Sequence, residues 1–461
     1  MGLGPSMKMT TLHHYRCPVT AELAKQDDIS FAGILIDGVS ELCDDKIFTA
    51  KRTAEMAAMM QADGAIVTVD GFGNHHVDFV NVIEQLGLRG IPSVGVSFFG
   101  EQGKLVCTGD YLDCLIDINK TSSGFETCVV GQNNLTQEDA YKVVGLLKYR
   151  MKKAGKSSCE SAMRMADLTG QENQTRTVVP ADDMQMASPD RLSDTSMRLA
   201  SIRATGKKYL HAGNTLVRHS FPVHEVRFGE TTALHGGILE IRKDIRDRAV
   251  GPSPNLLDVQ VQILPPGLTD QSVNANLDFF PVACKISGEL GEGVTNLIAG
   301  MTVMLTGAEE GGFQPANIGS SYGSLREHLV TDRAGTPAAD DFILHIDVLF
   351  RNGAGRTAEG ILAAHQAADM IVEEIRQALA GLRPGDEAEC FTETFTDTVR
   401  AGSPRAVLIK IVSGLGAMYD TALFPSQPCG ILGARLIRQC GCIPWAITPN
   451  QCRDGVIHSL I

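Results

Sequence analysis

The sequence predicts an α/β protein: a doubly wound parallel-sheet module followed by a second module of mixed α+β or α/β type. Three observations predict it. Residues 31–153 alternate β-branched apolar runs with stretches of helical period, the pattern of parallel strands joined by crossover helices. Residues 208–461 carry several short runs of strand-like alternation and one long helical stripe. A length of 461 residues also exceeds what one ordinary core organises.

The elements follow in order. "FAGILI" (31–36) reads as a buried strand, and "DKIFTAKRTAEMAAMMQA" (45–62) as a helix with Ile47, Ala50, Ala54, Ala57 and Ala58 on one face. "AIVTV" (65–69) is a second strand, His75–Leu86 a short helix ended by Gly87, "IPSVGVSFF" (91–99) a third strand and "YLDCLIDI" (111–118) a fourth. "TQEDAYKVVGLLKYRMKK" (136–153) opens on a capping box, Thr136 to Asp139, and closes on a basic turn, so it is a helix. Residues 154–207 are rich in Ser, Thr, Asp, Gln, Met and Arg without sustained period and read as an interdomain linker. The division is therefore 1–153, 154–207 and 208–461. In the last part, "HSFPVHEVRFG", "GGILEIRK", "LLDVQVQIL", "NANLDFFPVACKI", "MTVMLTG" and "DFILHIDVLF" are strands. The helix Thr357–Leu382 carries Ile361, Ala364, Ala368, Ile371, Ile375 and Leu379 on one stripe; "RAVLIKIV" is a strand, 430–439 a helix and "IPWAIT" a last strand.

Bulk chemistry excludes several classes. A net charge of −13 argues against a phosphate-backbone binder, so no nucleic-acid partner is expected. No run approaches the roughly 18 apolar residues that span a bilayer, and no signal segment opens the chain. "MGLGPS" fits a myristoylation pattern and is read as a chance match. The 12 cysteines contain no C-x-x-C pair and read as reduced thiols, which places the chain in the cytoplasm and off the membrane.

Three glycine-bearing loops carry candidate chemistry. In "AIVTVDGFGNHHVDF" (65–79) an apolar strand stops at Asp70, and Gly71 and Gly73 permit close backbone approach. Asp70, Asn74, His75 and His76 then stand at the carboxyl end of a parallel strand, where open α/β sheets bind ligands. Asn74 as the cap of a structural turn is the alternative. "SGLGAMYDTALF" (413–424) places Gly414, Gly416 and the acid Asp420 beyond another strand. "RNGAGRTAEG" has the shape of a dinucleotide turn, Gly353-x-Gly355-x-x-Ala358, with Glu373 and Glu374 where a ribose acid is sought; a glycine-assisted turn is the competing reading. Cys440-Gly-Cys442, with Cys452 and His458, lacks zinc-knuckle spacing, so buried structural cysteines are expected and no metal.

Several segments together resemble the proprotein subunits of the anaerobic amino-acid reductases, the D-proline reductase and glycine, sarcosine and betaine reductase component B family. They are "ADGAIVTVDGFGNHHVDFVNVIEQLGLRGIPSVGVSF" (62–98), "NNLTQEDAYKVVGLLK" (133–148), "VHEVRFGETTALHGGILEIRK" (223–243), "SGELGEGVTNLIAGMTVMLTG" (287–307), "IGSSYGSL" (318–325), "AAHQAADMIVEEIRQAL" (363–379) and "GLGAMYDTALFPSQPCG" (414–430). The resemblance implies that 1–153 is similar to the pyruvoyl-bearing subunit and 208–461 to the larger proprotein-derived subunit. It implies a subunit of a dithiol-dependent oxidoreductase that cleaves a C–N bond reductively, as when proline opens to 5-aminovalerate. A selenocysteine- or cysteine-bearing reductase subunit is the implied partner, a small amino acid the implied substrate, and an oligomer is expected.

In the family the module like 208–461 comes first and ends at a Thr-Cys bond whose cleavage leaves a pyruvoyl group. Here the order is reversed: the sequence ends "DGVIHSLI" and begins "MGLGPS". Gly2 stands in the matching place and has no side-chain heteroatom for that chemistry; "RCPV" around Cys17 is not the family junction. No cofactor is therefore expected on this chain. By the resemblance, Asp70, Asn74 and His75 are the candidate catalytic residues, and Gly71, Gly73, Gly414, Gly416 and Asp420 the candidate substrate-binding residues. A non-catalytic accessory or assembly paralogue of the same complex is one alternative, and a nucleotide-binding α/β protein another.

Overall fold

The computed structural model describes residues 16–38, 43–69, 73–97, 100–118, 135–156, 213–267, 272–310, 321–324, 338–387, 389–412 and 444–456. Most of the 154–207 segment, the helix expected at 430–439, Gly2, Cys440, Cys442 and His458 lie outside the described residues.

The first part of the chain alternates as its periodicity predicts. Helix α1 (Pro18–Lys25) precedes β1 (Ser30–Gly38); α2 (Cys43–Met59), β2 (Gly64–Val69), α3 (Gly73–Leu88), β3 (Ser93–Ser97), β4 (Leu115–Asp117) and α4 (Gln137–Lys153) follow. The capping box of α4 forms: the Thr136 hydroxyl accepts from the Asp139 amide at 3.1 Å, and the Asp139 carboxylate accepts from the Thr136 amide at 2.9 Å. α1 had no periodic signal, since its eight residues hold too little pattern to separate from a loop.

The sheet these strands build has six strands, in the order β18-β1-β17-β2-β3-β4, where β17 is Arg405–Val412 and β18 is Trp445–Ile447. β17 pairs in parallel with β1 on one side and β2 on the other; β18 closes the edge antiparallel to β1. Two strands read from the sequence within 208–461 thus complete the sheet begun by 31–118. Helices cover both faces, so the strands are apolar on both sides. Ala50, Ala54 and Ala57 of α2 and Phe79 and Ile83 of α3 pack on one face, against Leu35, Val67, Val407 and Ile409. Val19 and Leu23 of α1 and Val143 and Leu147 of α4 pack on the other, against Ile34, Ile66, Val94 and Leu408.

The remaining strands form three smaller sheets. β14 (Ser321–Ser324), β10 (Ser272–Phe280), β13 (Met301–Glu309), β15 (Phe342–Phe350) and β9 (Leu257–Leu264) lie side by side in that order. β11 (Ala283–Ser287), β12 (Gly293–Ala299), β5 (Thr215–Pro222) and β16 (Phe391–Thr396) form the second sheet, and β6 (Glu225–Gly229), β8 (Ile238–Arg242) and β7 (Ala233–His235) the third. Each mixes or contains parallel and antiparallel pairs, as in β13 beside β15 and β9 beside β15. A short helix, α5 (Ile245–Val250), and the long α6 (Ala358–Ala380) pack on them. The α6 stripe expected from the sequence is buried at Ala364, Ala368, Ile371, Ile375 and Leu379, against Val303, Leu305, Leu344 and Ile346.

The last helix, α7 (Pro449–Arg453), joins the sheets. Asn450 donates to the carbonyls of Asn214 and Phe395, and Asp454 accepts from Lys285, the Gly291 amide and Thr295. Arg400, leading into β17, donates to the carbonyls of Gln26 and Ile29. These bonds and the place of β17 lead to an expected result. Limited proteolysis within 157–207 will give two bands under denaturing conditions, but the nicked protein will elute as one species in native size-exclusion chromatography. Separate elution of the two pieces would show that β17 does not hold the sheet together.

Candidate functional site

Polar residues of three strands meet near the carboxyl edge of the six-stranded sheet. Asp37, Ile411, Val69, Ser97 and Asp117 are consecutive register partners across β1, β17, β2, β3 and β4, so they form one row just inside that edge. Asp70 follows Val69 and Ser413 follows Val412, so both glycine loops singled out in the sequence leave adjacent strands at this edge. Asp70, Gly71, Gly414, Gly416 and Asp420 lie outside the described residues. Gly73 and Asn74 are in the first turn of α3, which thus begins two residues earlier than the periodicity predicts; His75 follows them, half-buried.

Beside this row, four side chains from β1, α2 and α3 form a buried polar group that the sequence did not single out. Asp37 is 2% exposed and accepts a hydrogen bond from Thr53 of α2 at 2.8 Å. Burial pushes its carboxyl up to about 7; the Thr53 bond pulls it down and the nearby Asp78 carboxylate raises it further. Lys46 of α2 and Asp78 of α3 form a buried ion pair. Its charges bear on Asp37 in opposite senses, Asp78 raising and Lys46 lowering its proton affinity. A carboxyl that changes protonation near neutral pH, at the ligand-binding edge of a parallel sheet, can take up or release a proton where chemistry of that kind is needed. The missed signal was present: β1, like β2, is an apolar run that stops at an acid, Asp37 in one case and Asp70 in the other.

The two histidines have different surroundings. His76 is 1% exposed, its ring 5.4 Å from that of Phe79. Gly103 of the 3-10 turn Gly100–Leu105 closes over it: a Cβ there would meet the imidazole at 2.3 Å, so only glycine fits. Burial drives the His76 pKa down to about 4, against a bond to the Cys107 backbone that raises it, and keeps the ring neutral.

The Gly353 turn serves its own helix. Gly353 has φ 78 and precedes the 3-10 turn Ala354–Arg356; Thr357 then caps α6, accepting from the Gly360 amide at 3.0 Å. Gly360 needs its missing Cβ, because one there would stand 2.0 Å from the Ala354 carbonyl oxygen. Glu373 pairs with Arg376, and Glu374 with Arg248 at 2.8 Å. The acids sought for a ribose are thus engaged by arginines, which favours the glycine-assisted turn. Among the described residues no group of three or more His, Cys, Asp or Glu is placed to hold a metal ion, and no helix is long and apolar enough to cross a membrane.

Four strands of this sheet and helices α1–α4 lie within the residues that a family model matches. Residues 3–175 match the model of the glycine/sarcosine/betaine reductase component B subunits. The chain is a homologue of amino-acid reductase proteins. It is similar to the D-proline reductase proprotein of Acetoanaerobium sticklandii, 32% identical over 286 residues, which are 61% of this chain and 45% of that one. It is also similar to the sarcosine reductase complex component B subunit alpha of Peptoclostridium acidaminophilum, 25% identical over 153 residues, 32% of this chain and 34% of the relative. The resemblance read from the sequence is borne out, and the chain spans less than half the length of the curated relatives it matches. No solved structure matches it.

Proposed function

We propose that this chain is a subunit of a D-proline-reductase-like amino-acid reductase complex, in which a C–N bond is cleaved reductively at the expense of a dithiol. The observation that carries the reading is the family match over residues 3–175, the part of the chain that supplies four of the five parallel strands. Reductive C–N cleavage needs a proton for the departing amine. Asp37, with its carboxyl near neutral, is the described group suited to supply one to the edge; the proposed catalytic residues are Asp70, Asn74 and His75, and the proposed substrate-binding ones Gly71, Gly73, Gly414, Gly416 and Asp420.

The resemblance implies an electrophilic carbonyl in the complex. Residues 1–15 lie outside the described residues, Gly2 cannot become a pyruvoyl, and no step is assigned through that group on this chain. The complex works in the cytoplasm with a small selenocysteine- or cysteine-bearing subunit.

The test is purification of the tagged full chain from its own cells under reducing conditions. The expected result is recovery with a small thiol- or selenol-bearing subunit, in a preparation that converts D-proline to 5-aminovalerate with dithiothreitol. The chain alone should be inactive and unlabelled by a hydrazide. Activity of the complex that survives omission of this chain would favour the accessory role instead. Recovery with a bound nucleotide and no reductase partner would overturn the reading.

A further inference from the structure

The other face of the six-stranded sheet holds a second group of reactive side chains. Lys410 of β17 lies level with Ile36 of β1 and Thr68 of β2, near the carboxyl edge. It is 3% exposed and donates to the Cys452 sulfur at 3.6 Å and to the Cys17 sulfur as well. Thr20 Oγ1 stands 3.9 Å from Cys452 Sγ. Cys17 caps the N-terminus of α1 and is 1% exposed; Cys452 lies on the five-residue helix α7 and is 8% exposed. Both are free thiols.

The electrostatics of this group are uncommon. Burial by itself lowers the proton affinity of Lys410, yet the two sulfurs outweigh it and raise the pKa, so the side chain is a buried ammonium. The two sulfurs are among the groups that raise it. Arg453, next in sequence to Cys452, also feels the charge of that sulfur. One ammonium thus stands in hydrogen-bond contact with the Cys452 sulfur.

We propose that Cys17 and Cys452 form a peroxide-reactive dithiol with Lys410 as its proton donor. In the first step the Cys452 sulfur attacks one oxygen of hydrogen peroxide. An S–O bond forms and the O–O bond breaks. Lys410 gives a proton to the departing hydroxide, which leaves as water, and regains a proton from the thiol. In the second step the Cys17 sulfur attacks the sulfenic sulfur; the S–S bond forms, the S–O bond breaks, and a second water leaves. Two thiols lose two electrons and one peroxide becomes two waters. The link ties α1 to α7, closing a loop over nearly the whole chain, and a dithiol reductant reopens it. Cys452 reacts first because it is the more exposed of the two cysteines.

The experiment treats the reduced full-length chain with hydrogen peroxide and follows it by intact mass, peptide mapping and non-reducing electrophoresis. The expected product has lost two hydrogens, yields a peptide pair joining Cys17 to Cys452, and migrates faster until dithiothreitol is added. Lys410→Met should slow its formation at least about tenfold, and Lys410→Arg, which keeps a cation but cannot give up a proton, should recover only part of that rate. Two results overturn the proposal: Cys17 and Cys452 both remaining alkylatable after peroxide treatment, or Cys452 passing to sulfinic acid with Cys17 untouched. The map of the unsubstituted chain decides between these outcomes even if a Lys410 variant fails to fold.

Discussion

Replacing Lys46 by methionine will destabilise the protein by about 3–5 kcal/mol, the loss that follows when one partner of a buried ion pair is removed. Lys46 and Asp78 are 3% and 5% exposed, so neither charge can turn to water once the other is gone. Asp78→Leu should cost a similar amount. The double variant, Lys46→Met with Asp78→Leu, should recover much of the loss, because it removes both desolvated charges and leaves apolar groups between α2 and α3. Urea unfolding of the four proteins closes the cycle. Single variants within about 1 kcal/mol of the parent would mean that the pair is solvated and does not hold α2 against α3.

Asp37→Asn will change how stability depends on pH. The Asp37 carboxyl is raised from 3.8 to about 7 by burial, so the folded state holds a proton that the unfolded chain has released. The stability tied to that proton is fully present below the unfolded value and is lost as pH rises through about 7. The total is about 4 kcal/mol, from the shift at roughly 1.4 kcal/mol per unit. Asparagine keeps an acceptor for Thr53 but carries no charge. The variant should match the parent near pH 4 and exceed it at pH 8. His76 works in the opposite sense: its pKa is lowered from 6.5 to about 4, so its contribution is present above 6.5 and lost as pH falls through about 4. Between those values the two groups offset each other, and of the two only Asp37 still titrates above 6.5. Thermal melts of parent and variant from pH 4 to pH 8 test this; parallel curves would show that Asp37 is ionised in the folded protein throughout.

The sequence by itself determined whatever depends on neighbours a few residues apart. The alternation of β1, α2, β2, α3 and β3, the capping box of α4, the apolar stripe of α6 and the glycine turn before it were legible because period, caps and left-handed turns are local properties. The kinship with amino-acid reductase proteins was legible too, from short segments spread over both halves. The tertiary structure alone decided which strands lie together. "RAVLIKIV" reads as a strand anywhere, but nothing in those eight residues says that they pass between β1 and β2, because a parallel strand's partners are distant in the chain. It decided the chemistry of single side chains for the same reason. Asp37 is one more acid in the sequence and Lys410 one more lysine. Only packing α2 and α3 over one and α1 and α7 by the other removes water, sets the Thr53 bond and the two sulfurs in place, and moves both groups from their ordinary proton affinities.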